Sequence, residues 1–332
     1  MKRRTFVATA LAGGTSLAMS QAGVAQTPTA RRSDVTPGSS SATPPSEQGA
    51  TIVAQHADEA VTTDVLTVDG AHLYYAVSGS GPVLLLIHGA PADADIFAPI
   101  VPLLEQDYTV VRYDTRGISR SRLDDPAEEI PVAVHADDAR RILARFGDEP
   151  ASVLGSSGGA VIGLALVERY PEQVRTLVAH EPPLVQLLPE GDARRGAVQE
   201  IDDTYRKEGV GPAMGKFIAL AGGQSEAEPP SEVTPEMQAA MARLQQNLDT
   251  LFARYLLPIT TYVPDVATLQ AGPSRVVVGV GAASAGELAH DTALALAERL
   301  GTEAVIFPGG HGGYTSHPAE FLTQLQEVLQ VR

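Results

Sequence analysis

The chain has no cysteine, which removes disulfides, thiolate nucleophiles and Cys-based zinc or iron sites from consideration. It is also short of positive charge. Twenty-four Lys and Arg stand against 40 Asp and Glu, a formal net charge of −16 over 332 residues. No Lys/Arg-rich run follows the first few residues, so a phosphate-tracking surface is not expected and nucleic acid is not an expected partner. The acidity reads as a solvated surface that keeps the protein soluble. The histidines are scattered and no HExxH or comparable cluster occurs, so no metal is expected. The glycine-rich "GSSGG" has the wrong spacing for a dinucleotide fingerprint, and no cofactor is expected either. No internal repeat is present, and a chain of this length builds its core without a covalent staple.

What is present begins with "MKRRTFVATALAGGTSLAMSQAGVAQ". Lys2, Arg3 and Arg4 precede an apolar stretch that ends in small residues at Gly23, Val24 and Ala25, the layout of a cleavable export signal over residues 1–25. The apolar part is too short and too rich in glycine and serine for a good membrane span, so no membrane association is expected once it is removed. Arg3 and Arg4 before Thr5, Phe6 and Val7 resemble a twin-arginine signal, although an ordinary Sec-type signal has the same positive end. Residues 26–60, rich in Ser, Thr, Pro, Gln and Ala around "TPGSSSATPPSEQGA", bury too little apolar surface to fold and read as a flexible linker.

Folded structure is expected from residue 61. "VLTV" and "AHLYYAV" alternate around Asp69-Gly70, a hairpin signal. Short, nearly uninterrupted apolar runs follow: "PVLLLIHG", "YTVVRYD", "ASVLGS", "VRTLVAHE", "SRVVVGVG" and "TEAVIFPGG". Such runs imply strands buried on both faces, and the helical segments between them imply a mostly parallel sheet. Helices are expected over 95–105, 132–146, 158–169, 285–300 and 318–330. The fold class is therefore α/β, a mostly parallel, doubly wound sheet with an antiparallel start. Residues 183–272 break the alternation: they carry Glu, Gln, Ala, Met and Leu at helical spacing without a strand-like run, which predicts an inserted helical cap over the sheet's carboxyl edge.

Three stretches carry chemistry. Gly155-Ser156-Ser157-Gly158-Gly159 fits G-x-S-x-G between a strand and a helix, the context in which the middle serine sits on a strained turn with its hydroxyl raised clear of the sheet. Side chains at Gly155 and Gly159 would collide with the neighbouring strand and helix. "LLLIHGAP" ends a buried strand at His88-Gly89 and directs the amide of Ala90 to the same edge, where with the amide of Gly158 it offers two donors to an oxyanion. "AVIFPGGHGGY" ends the last strand and delivers His311 on a glycine-flanked loop, positioned to take a proton from Ser157 and return it to a leaving group.

Together the strand alternation, His88 to Pro91, "RYDTRGISRS" and the elbow at Ser157 with its late His311 resemble the α/β-hydrolase family over roughly residues 61–332. The resemblance implies a triad acid, usually on a Gly-x-x-Asp turn after the strand before the last. Here that place holds Gly281-Ala282-Ala283-Ser284. Glu287 and Asp291 follow where a helix should have begun, in positions a helix dipole favours for acids. Some members carry the acid one strand earlier, and "LVAHEPPL" puts Glu181 there, its turn pinned by Pro182 and Pro183. Glu181 is the preferred acid, with Glu287 and Asp291 as alternatives. Asp114 and Arg116 read as a loop-fixing ion pair without a chemical role.

Relatives with an aspartate at the elbow hydrolyse alkyl-enzyme esters, as haloalkane dehalogenases and epoxide hydrolases do. A serine there implies acyl transfer to water from an ester, lactone, thioester or amide. The sequence thus predicts an exported serine hydrolase, periplasmic or extracellular, whose partner is a small-molecule acyl substrate. A cofactor-free perhydrolase or haloperoxidase, and a non-catalytic ligand-binding protein on the same fold, are the alternatives. Oligomeric state is not legible.

Overall fold

Four consecutive residues, Leu84 to Ile87, are wholly buried. Leu84 and Leu86 belong to one hydrophobic cluster and Leu85 and Ile87 to another. This alternation is what a strand with both faces covered requires, because successive side chains leave a strand on opposite sides. The computed structural model of the protein describes residues 61–126, 129–222 and 234–330. The expected export signal and linker lie outside the described residues.

The sheet has nine strands: β1 (Thr62–Val68), β2 (Ala71–Ser78), β3 (Val83–Ile87), β4 (Thr109–Tyr113), β5 (Arg122–Leu123), β6 (Ala151–Ser156), β7 (Val174–His180), β8 (Arg275–Gly281) and β9 (Val305–Phe307). Their order is β1-β2-β4-β3-β6-β7-β8-β9, with the two-residue β5 paired to β2. β1 and β2 form the expected hairpin, Val68 opposite Ala71 across Asp69-Gly70. From β4 to β9 every pairing is parallel.

The helices are α1 (Val101–Leu104), α2 (Val132–Leu143), α3 (Gly158–Arg169), α4 (Arg194–Glu208), α5 (Val210–Ala221), α6 (Pro235–Thr250), α7 (Leu256–Thr260), α8 (Val266–Ala271), α9 (Leu288–Leu300), α10 (Gly313–Ser316) and α11 (Pro318–Gln330). Helices α2, α3 and α9 cover one face of the sheet, and α1 and α11 cover the other. The helix expected over 95–105 is broken into a 3-10 turn, Ala94–Phe97, and the single turn of α1. Pro99 and Pro102 explain the break, since each removes a backbone donor and restricts the residue before it. Between β7 and β8 all described regular elements are helical, as expected of the insertion.

This topology prepares a site at one edge. The chain runs from β3 outward to β4, then crosses back so that β6 pairs with the other side of β3. At such a switch point the loops leaving the two strands diverge and open a crevice at the carboxyl ends. In register, Ile87 faces Gly155, Ser156 faces His180, and His180 faces Gly279. The loops after β3, β6, β7 and β8 therefore emerge side by side.

Candidate active site

Ser157 is the first residue past β6 and stands at the N-terminal end of α3 with φ 57° and ψ −123°. A positive φ costs a non-glycine residue of order 1–3 kcal/mol and persists only where the surroundings impose it. Two glycines impose it here. A Cβ on Gly155 would lie 2.4 Å from the Gly159 carbonyl oxygen, and a Cβ on Gly159 would lie 2.0 Å from that of Ile87. Only glycine at both positions lets β6, the turn and α3 pack this closely against β3. The Ser157 amide is tied to the His180 carbonyl at 2.8 Å. Its side chain makes no capping bond to α3. A serine placed there only to cap the helix would make one.

Glu181 is the first residue past β7 and also has positive φ, 50°. Its amide donates to the Gly279 carbonyl at 3.0 Å, and the Thr292 hydroxyl donates to the Pro182 carbonyl at 2.7 Å, so the chain is anchored where it enters the Pro182-Pro183 turn. The carboxylate is wholly buried and every bond it makes is directed. Oε2 lies 2.6 Å from Nδ1 of His311, while Oε1 accepts from the Gly281 amide at 2.8 Å and from the Ser284 hydroxyl. Burial alone would push the carboxyl up. The hydrogen bond and charge of His311, with help from His180 and Ser284, outweigh it and hold Glu181 down at about 2. A carboxylate at Nδ1 fixes the tautomer that leaves Nε2 free to accept a proton. For His311 itself, burial disfavours the imidazolium, but the hydrogen bond and charge of Glu181 prevail and its pKa lies above the ordinary histidine value.

The loop after β3 completes the edge. His88 is wholly buried, which holds its pKa below the ordinary histidine value, and its Nε2 accepts the Thr115 amide at 3.0 Å. A Cβ on the next residue, Gly89, would stand 2.8 Å from Ser157 Cβ, so this loop lies directly against the elbow. Helix α6 ties it down: Asn247 donates to the Pro91 carbonyl at 2.8 Å, and Arg243 binds Asp93 at 2.7 Å. Asp114 and Arg116 stabilise loops as expected but not by pairing with each other. Arg116 grips the buried Asp138 of α2 through two bonds of 2.9 and 2.8 Å, and Asp114 binds Arg120 and the Ala94 amide.

Ala90, Ser157, Gly158 and His311 line one cavity of about 130 Å³, together with the apolar side chains of Phe217, Leu220, Leu251 and Leu256 from the helical insertion. The Gly158 amide opens α3 and has no intrahelical acceptor, and the helix start adds partial positive charge beside it. Glu181 and His311 are thus brought together, while neither alternative acid contacts His311. Glu287 precedes α9 and lines the cavity, its carboxyl raised first by burial and then by the charge of Glu181. Asp291 is held instead by Arg194 at 2.7 Å. Ser284, one of the residues standing where the resemblance places an acid, donates its hydroxyl to the Glu181 carboxylate, a role not legible in the sequence. A carboxylate predicted one strand early was the signal that something on the next loop had to receive it.

A family model described as the alpha/beta hydrolase fold matches residues 82–251, and the chain belongs to this family. Among its relatives, an uncharacterized hydrolase of Bacillus subtilis (strain 168), YraK, is 38% identical over 278 residues, 81% of this chain and 97% of that protein. A zearalenone hydrolase of Cladophialophora bantiana is 27% identical over 280 residues, 82% of this chain and 98% of its own. A solved structure of a thermophilic esterase from Thermogutta terrifontis superposes with a TM-score of 0.63 at 18% identity, covering 82% of this chain and 98% of that one. The protein is a hydrolase of the α/β fold.

Proposed function

We propose that the protein is a serine hydrolase that cleaves small esters or lactones through Ser157, His311 and Glu181. The observation that carries this reading is the 2.6 Å contact between His311 Nδ1 and the buried Glu181 carboxylate, with His311 lining the same cavity as Ser157 on its strained turn. In the first step Ser157 Oγ attacks the acyl carbon and its proton passes to His311 Nε2. The carbonyl oxygen becomes an oxyanion held by the amides of Ala90 and Gly158. His311 then protonates the leaving alcohol. Water, deprotonated by the same imidazole, releases the acid and restores Ser157. Glu181 keeps the imidazole oriented and stabilises its charged form throughout.

The names of two relatives, an esterase and a zearalenone hydrolase, fit this acyl-transfer reading. A serine at the elbow speaks against alkyl-enzyme chemistry, which needs a carboxylate there. The apolar cavity of about 130 Å³ is close to the size that accommodates benzene, and suits a compact acyl group. Labelling by a fluorophosphonate tests the proposal. Wild-type protein should be labelled stoichiometrically and Ser157→Ala not at all; an unlabelled wild type would remove it. A perhydrolase would use the same residues and is distinguished by oxidation of halide in the presence of peroxide and a carboxylic acid.

We further propose that the chain is exported, on the layout of residues 1–25. Loss of Lys2, Arg3 and Arg4 takes the formal charge from −16 to −19. Sequencing the N-terminus of protein from the native host tests this, and a chain still beginning at Met1 would count against it.

A further inference from the structure

Tyr255 lies at the end of Leu251–Tyr255, a turn of π-helix that joins α6 to α7. One extra residue per turn re-aims the side chains of a helix, and such turns recur at functional sites. Here the turn sends a phenol into the cavity that Ala90, Ser157 and His311 line. The side chain is buried, 2% exposed, and its hydroxyl has no hydrogen-bond partner. A buried polar group without a partner is uncommon enough to need a reason.

The position of that hydroxyl supplies one. A Cβ built on Gly158 would lie 2.7 Å from Tyr255 Cε1 and 3.0 Å from the hydroxyl oxygen. The phenol therefore reaches the start of α3 only because residue 158 has no side chain. The Ala90 amide and the Thr115 hydroxyl approach the phenol oxygen as donors, short of full hydrogen-bond geometry, and neither takes up the phenol's own hydrogen. The His135 ring, 5.3 Å away and edge-on, backs the tyrosine. Burial pushes the phenol well above its ordinary value, so Tyr255 is protonated throughout the working range and is a donor.

Resting on the serine-hydrolase reading above, we infer that Tyr255 is a third catalytic donor, whose hydroxyl hydrogen-bonds the oxyanion that forms between the amides of Ala90 and Gly158. No protein acceptor among the described residues takes the phenol hydrogen, and the negative charge that develops on the carbonyl oxygen supplies one. An interaction made chiefly in the transition state lowers the barrier without tightening substrate binding. No proton is transferred: the phenol keeps its hydrogen, and the serine proton still travels through His311.

Tyr255→Phe removes the oxygen and leaves the ring, so folding should be preserved, with a melting temperature equal to or above wild type. With p-nitrophenyl acetate the variant should lose roughly 10²-fold in kcat, the order found for one oxyanion donor, while KM moves less than about threefold. The inhibition constant of a trifluoromethyl ketone, which forms a tetrahedral adduct with an oxyanion, should rise by a similar factor. A variant with kcat and inhibitor affinity within about threefold of wild type overturns the inference. If Tyr255→Phe does not fold, a crystal structure of the wild-type ketone adduct decides. A Tyr255 oxygen within 2.5–3.0 Å of the oxyanion supports the assignment, and one beyond hydrogen-bonding reach overturns it. Ser157→Ala, run in parallel, separates the two readings. Residual wild-type turnover there defeats the serine-hydrolase reading itself, whereas an inactive Ser157→Ala beside a fully active Tyr255→Phe defeats only the role of Tyr255.

Discussion

Ser284 donates its hydroxyl to the very carboxylate oxygen of Glu181 that also receives the Gly281 amide, leaving the second oxygen to His311. The loop after β8, where the family resemblance places an acid, thus supplies donors to the Glu181 carboxylate. Two consequences follow for variants. Glu181→Gln cannot favour the required imidazole tautomer or stabilise an imidazolium, and turnover should fall roughly 10³- to 10⁴-fold. Ser284→Ala keeps the acid but frees one oxygen, and should lose a smaller factor, roughly tenfold. Steady-state kinetics on one ester substrate checks the order; a Ser284→Ala loss as large as that of Glu181→Gln would contradict it.

The acid limb of the pH profile has a sign that the site dictates. Burial works against the His311 imidazolium, but Glu181 raises its pKa above the ordinary value, and Glu287 adds to the rise. Only the neutral ring accepts the serine proton. The rate kcat/KM should therefore climb with pH through a midpoint above about 6.5, the unperturbed histidine value. Glu287→Gln removes one of the raising charges, and the midpoint should move down while the plateau keeps most of its height. A midpoint that stays in place would show that Glu287 is not felt at the ring.

Stability should show the complementary dependence. Glu181 is held near 2 in the folded protein, against about 4.3 in an unfolded chain. Its contribution is then complete above about 4.3 and is lost as pH falls through 2. His311, shifted upward, contributes below about 6.5 and loses that contribution as pH rises through its folded value. Urea midpoints measured from pH 2 to 5 should fall less steeply with acid in Glu181→Gln than in wild type.

Strand ends and the elbow were legible because each rests on a local rule. An apolar run bounded by glycine reads as a buried strand, and G-x-S-x-G after such a run fixes what the turn must do. The limits of α3 and α11, residues 158–169 and 318–330, are legible for the same reason. Glu181 entered only through the family resemblance, which allows an acid one strand earlier, at a place marked by a strand end and two prolines, with Glu287 and Asp291 as alternatives. Ser284 was not legible, because its role exists only once a carboxylate from another strand reaches it. Tyr255 was hidden more deeply: its direction depends on a π-turn within a long helical stretch, and neither spacing nor composition marks where that extra residue falls. β5, two residues long, lies below the length at which a period can be seen.

The loop carrying Ala90 depends on a buried amide side chain. Asn247, 3% exposed, donates to the Pro91 carbonyl at 2.8 Å and to Ser119 Oγ at 3.0 Å, and accepts the Ser119 amide at 2.8 Å. Removing it leaves those buried groups unsatisfied, a loss of about 1–3 kcal/mol in stability. It also loosens the Ala90 amide. Asn247→Ala should lower both the melting temperature and kcat, the latter roughly tenfold. Full activity in a destabilised variant would mean that the loop keeps its place without the clamp.

The cavity sets the last expectation. Its wall opposite Ser157 is built from the insertion, with Phe217 half-buried and packed edge-on against Phe252 at 6.1 Å. On the acyl-transfer proposal, a space of about 130 Å³ beside Ser157 favours a short acyl chain over a long one, since a packed wall does not swell cheaply. Acetate and butyrate esters should be turned over well above octanoate esters. Phe217→Ala removes part of that wall together with its edge-on contact to the buried Phe252. The preference should then shift toward longer chains, with kcat/KM for the octanoate ester rising relative to the acetate ester by roughly tenfold, the scale of one to two extra buried methylene groups. An unchanged ratio would mean that the acyl chain leaves the site by another path and that Phe217 does not border it.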